Sequence, residues 1–119
     1  MLESIPEKPD VIEELKVEGQ TVPFYKYSID GVTFIEFNTS RCGPPEPMIN
    51  AMLALKQIKD RNTKVHMINH IKPMGLLPKI EGEFDVEIKE VNGLVHLLFS
   101  KKEKPLRETN FEDSNCDGQ

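Results

Sequence analysis

Two dipeptides, Asp30-Gly31 and Asn92-Gly93, each separate a pair of strand-like runs in this 119-residue chain. Aspartate or asparagine followed by glycine supplies the two positive-φ positions of a two-residue hairpin turn, so each dipeptide predicts an antiparallel strand pair. The first pair joins Val22 to Ile29 with Val32 to Phe37, and the second joins Phe84 to Ile88 with Leu94 to Phe99. Pro23 cannot donate to a ladder, which puts the first strand at a sheet edge. Apolar residues on both alternating sets of Val32 to Phe37 make that strand the more central of its pair.

Between the hairpins the periodicity changes. Met48, Ala51, Met52, Leu55 and Ile58 share one face at helical spacing, predicting a helix from Met48 to Lys59. Lys64 to Asn69 then reads as a strand. Lys72 to Ile80 reads as a broken helix with Pro73 at its first position. The resulting order, β-β-α-β-α-β-β, predicts an α+β fold, a two-layer α/β sandwich with both helices on one face of a mixed sheet. Ile35, Phe37, Leu94, His96 and Leu98 suggest that the other face is not wholly polar, which favours a homodimer or a docking surface.

A core of this kind must be aliphatic, since Trp is absent and Phe with Tyr supply eight rings. One domain is expected over residues 21–100, with an acidic leader over 1–20 and a polar tail over 101–119. The leader carries six acids against two lysines, most of the net charge of −5. Asp10, Glu13 and Gly19 have the spacing of a capped short helix. The tail has no apolar period and is expected to be disordered. An acidic chain without a basic stripe argues against nucleic acid as a partner, although Lys56, Lys59, Arg61 and Lys64 form one basic cluster. No apolar run approaches the roughly 20 residues of a membrane span. Two cysteines, Cys42 and Cys116, make no disulfide framework, and no export signal is visible, so a cytoplasmic location is expected.

The stretch from Ser40 to Met48, SRCGPPEPM, stiffens the passage from strand to helix. Pro45 or Pro47 suits a first helical turn, Glu46 complements the positive helix end, and Gly43 permits a sharp turn. Free amide groups at such a helix start attract an anion or lower the pKa of a nearby thiol. Cys42, beside Arg41, is thus either a reactive thiol or a small half-buried loop residue.

Pro45-Glu46-Pro47 leading into Met48 and a helix, after a strand ending Glu36-Phe37-Asn38, resembles the TusA/SirA-like sulfur-carrier family. The resemblance spans about residues 31 to 99. It implies a β-α-β-α-β-β fold in which a Cys-Pro-x-Pro cysteine at the first helix carries persulfide sulfur. Closer still is a branch with Pro-Pro-Glu-Pro-Met here, followed later by an asparagine, a proline and a leucine; these would be Asn69, Pro73 and Leu76. Pro44 stands where the sulfur carriers have cysteine, and Cys42 lies two residues earlier, so the sulfur role does not transfer residue by residue. Whether Gly43 lets Cys42 swing into that place is a separate hypothesis. The extra strand Val22 to Ile29 is a second departure.

His66 and His70 lie about 13 Å apart on a strand at about 3.3 Å per residue, too far for one metal ion, and neither metal nor cofactor is expected. His70 and Cys42 would share a sheet edge if their strands are parallel neighbours. The expected function is a non-enzymatic binding or adaptor domain for a protein partner or small anionic ligand. Arg41, Gly43, Pro45, Glu46 and Pro47 would form the site, with Asn69, His70, Lys72 and Pro73 beside them. The alternative is a persulfide relay with Cys42 as the catalytic residue.

Overall fold

A computed structural model of the chain describes Pro9 and residues 11–111. Cys116, Asp10 and the first eight residues of the leader lie outside the described residues. The fold is mixed α/β: β1 (Glu13–Leu15), β2 (Phe24–Ile29), β3 (Val32–Asn38), α1 (Glu46–Lys56), β4 (Thr63–Asn69), α2 (Leu77–Ile80), β5 (Phe84–Val91) and β6 (Leu94–Lys101). The strands make one sheet in the order β1-β2-β3-β4-β6-β5. All neighbours are antiparallel except β3 and β4, which run parallel with Asn38 opposite Ile68.

Both hairpin turns form as the dipeptides require. Asp30 and Gly31 have φ of 49° and 82°, and Asn92 and Gly93 have 52° and 80°, the left-handed values of a two-residue turn. Helix α1 buries Met48, Ala51, Met52, Ala54 and Leu55. These pack with Leu76 and Ile80 on Phe24, Ile35, Phe37, Val65, Met67, Val95, Leu97 and Phe99. Strand alternation then turns Tyr27, Phe34, Glu36, His66, His96 and Leu98 toward the face that carries no helix. Ile35 and Phe37 therefore belong to the helix-side core, whereas His96 and Leu98 do lie on the other face.

Four expectations change. Glu13–Leu15 is a strand, because Leu15 packs on the core and the segment ladders onto β2, giving backbone bonds that an isolated short helix does not gain from the core. Strand β2 is consequently not an edge, and Pro23 sits just ahead of it. Helix α1 starts two residues before Met48 and ends at Lys56. Residues 102–111 of the polar tail fold back: Lys102 N–H donates to Glu83 O at 2.8 Å, Leu106 N–H to Gly82 O at 2.7 Å, and Phe111 meets Phe84 edge-on at 6.3 Å.

Candidate functional site

Parallel pairing of β3 with β4 sends the chain segments that follow them out at the same end of the sheet. Residues 39–45, with Cys42, and residues 70–76, with His70, thus share one rim. The two segments are fastened together. Thr39 N–H donates to Ile68 O at 2.8 Å, and Thr39 Oγ1 donates to Asn69 Oδ1 at 3.0 Å. Asn69 Nδ2 in turn donates to Ile71 O at 3.0 Å. Asn69 is wholly buried, so it latches the rim from below instead of facing a ligand. Pro73 and Pro47 are also buried, whereas Arg41, Gly43, Pro45, His70 and Lys72 are exposed.

The helix start is more closed than its sequence implies. The peptide bond between Pro44 and Pro45 is cis. Cys42 N–H donates to Thr39 O at 3.0 Å and Glu46 N–H to Gly43 O at 3.1 Å. With Pro47 second in the helix, the first two helical positions offer no free amide group. Glu46 adds a carboxylate where an anion would have to sit. Cys42 is half-buried; burial pushes its thiol pKa up, and the charge and side-chain hydrogen bond of Glu46 push it the same way. The predicted thiolate, favoured by Arg41 and the helix, is thus opposed by burial and by Glu46. Alkylation of Cys42 followed against pH is expected to place its titration above the ordinary thiol value of about 8.5. Glu46→Gln should lower it; a midpoint below the ordinary value in the unaltered protein would contradict this environment.

Beside the latch, His70, Ile71, Lys72, Ile88, Glu90 and Val95 line an open cleft of about 240 Å³. Ile71, Met74 and Ile88 are 45%, 56% and 37% exposed. Among the described residues neither Arg41 nor Lys72 has an ion-pair partner.

A second constellation, with no local mark in the sequence, occupies the sheet face that carries no helix among the described residues. Tyr27 Oη donates to Glu36 Oε1 at 3.0 Å, His66 Nδ1 lies 3.2 Å from the same oxygen, and His66 Nε2 lies 2.9 Å from His96 Nδ1. Glu36 and His66 are 5% and 1% exposed. With Glu36 a carboxylate, which only accepts, the proton of His66 sits on Nδ1. His66 Nε2 then accepts from His96 Nδ1–H, and the lone pair of His96 Nε2 ends the chain. Tyr27 is held strongly protonated by burial and by Glu36. Among the described residues no three His, Cys, Asp or Glu side chains are arranged so that they could hold a metal ion. The signal is hard to find in the sequence because each contact to His66 spans 30 positions.

His96 has its pKa lowered, first by desolvation and then by His66, against the pull of Glu36. A base whose folded pKa is depressed stabilises the fold above the unfolded value and loses that contribution as pH falls. Urea midpoints are therefore expected to decline below pH of about 6.5, the ordinary histidine value, and to decline less steeply in His96→Gln. An equal decline in both proteins would remove His96 as the cause.

No family model, curated protein or solved structure matches the chain.

Proposed function

We propose that this chain is a non-enzymatic adaptor domain of the TusA/SirA-like type that docks a segment of a partner protein on the rim formed by Arg41–Pro47 and Asn69–Pro73. The run β3-α1-β4-α2-β5-β6 and the Pro45-Glu46-Pro47 start of α1 support the likeness. What carries the reading is the exposure of Ile71 and Ile88 in one cleft with Lys72, a cation without an ion-pair partner among the described residues. Exposed apolar side chains of this size in a group favour a macromolecular contact. An unpaired cation at the rim of such a patch selects an acidic neighbour. The bound segment therefore presents a large apolar side chain with an aspartate or glutamate beside it. A small anion fits less well, since the amide groups that would hold it are bonded or missing at Glu46 and Pro47. A sulfur relay through Cys42 has the raised thiol against it.

Selection from a random peptide display library on the immobilised protein tests this reading. Enriched peptides should pair an acidic with a large apolar residue, and should lose affinity by about tenfold or more with Ile71→Asp or Lys72→Glu. Peptides that bind regardless of both substitutions, or no enrichment at all, would overturn it.

A further inference from the structure

The outer strand β5 is bonded on one side only, to β6. Val91 and Leu94 close the two-residue Asn92-Gly93 turn as a hydrogen-bonded pair, so alternate residues back from Val91 direct their backbone groups to β6. Those of Val86, Ile88 and Glu90 point outward, and among the described residues no hydrogen bond meets them on that edge. Exposed edges are commonly blunted by proline, bulges or brevity. Strand β5 has eight residues, an unbroken register against β6, and neither proline nor glycine. Ile88 stands exposed at its middle.

We infer that β5 pairs antiparallel with β5 of a second copy of this chain about a two-fold axis at Ile88, with Glu87 facing Lys89 of the second copy. A two-fold places each residue opposite its mirror position, so this centre sets Ile88 against Ile88, Glu87 against Lys89 and Val86 against Glu90. It also makes the outward-pointing residues the hydrogen-bonded pairs, as their geometry demands. Glu87 and Lys89 fall at non-hydrogen-bonded positions, where Cα atoms approach to about 4.5 Å and side chains meet. Every neighbouring centre that keeps the outward-pointing residues paired opposes like charges: Asp85 to Glu87 about Val86, Glu87 to itself about Glu87, Lys89 to itself about Lys89, and Glu90 to itself about Glu90. The charge order of β5 is thus complementary to its own reverse at one register, which specifies a copy of the same chain in preference to an unrelated strand. Glu87 and Lys89 each also interact within the chain, so the pairing adds to contacts they already have. Both lie on the sheet face away from the rim cleft, opposite Leu98 and His96 of β6. Ile88 is shared with the cleft, so the charge pair carries the test.

Sedimentation equilibrium of the full chain over a range of concentrations reads the association. A reversible monomer–dimer equilibrium is expected, weakened by about tenfold in Lys89→Glu, where two attractions become two repulsions. The combined Glu87→Lys, Lys89→Glu variant restores the original order in reverse and should recover the original dissociation constant, which separates lost pairing from lost folding. A chain that sediments as a monomer throughout, or a combined variant as weak as the single one, would overturn the inference.

Discussion

His66→Leu is expected to lower the unfolding free energy by about 3 kcal/mol, the scale on which removing one partner of a buried, hydrogen-bonded charge is felt. The imidazole links Glu36 to His96 inside the sheet, and its loss takes a donor from a carboxylate that is 5% exposed. Leucine fills most of the volume, so the cost is electrostatic and not that of a cavity. The companion variant decides the point. Replacing Glu36 by leucine together with His66→Leu removes charge and partner at once and should be less destabilising than His66→Leu alone. Urea unfolding of the unaltered protein, the two single variants and the double variant measures these differences. A double variant as unstable as the sum of its singles would mean that packing, and not the charge, holds this part of the sheet.

Asn69→Ala should cost about 2 kcal/mol, because two hydrogen bonds end on a wholly buried side chain and both partners would be left without them. The effect should reach beyond stability. Asn69 joins Thr39 after β3 to Ile71 after β4, so its removal leaves the bonds of Thr39 to Ile68 O to hold the two segments and loosens the part of the rim that follows Asn69. Peptide affinity at the rim is expected to fall as well, although Asn69 faces no ligand. Asn69→Asp keeps the acceptor for Thr39 Oγ1 but sets a buried carboxylate against Ile71 O, and should cost at least as much as Asn69→Ala. If Asn69→Ala loses stability and keeps full affinity, the latch does not position the rim.

The parts of this fold legible in the sequence were those whose cause is local. Asp30-Gly31 and Asn92-Gly93 need positive φ at adjacent residues, and Met48 to Leu55 repeat with the helical period; both are visible within a few positions. At strand β1 the capping spacing of Asp10, Glu13 and Gly19 points to a helix, while the three-residue pairing with Phe24–Lys26 has no local mark. The tail read as disordered because it is polar, yet its anchors are backbone groups meeting Gly82 and Glu83 and a single ring, Phe111. The proline stretch and the 69–73 stretch both stand out in the sequence, and parallel pairing of β3 with β4 brings them to one rim. The character of Cys42 was not legible, since it depends on where the carboxylate of Glu46 lies after the chain turns. Nor was the Tyr27, Glu36, His66 and His96 chain, which three strand registers assemble across the sheet.

Strand β4 lies between the two hairpins and, among the described residues, is the sole strand that touches both, parallel to β3 on one side and antiparallel to β6 on the other. Each hairpin closes over two residues and is quick to form, whereas β4 must be inserted at long sequence separation on both flanks. The amide protons of Val65 to Ile68 should accordingly be among the last to exchange with deuterated water, opening only when the whole domain does. Cutting the chain in two on either side of β4 would leave fragments that each keep a turn and lose the seam.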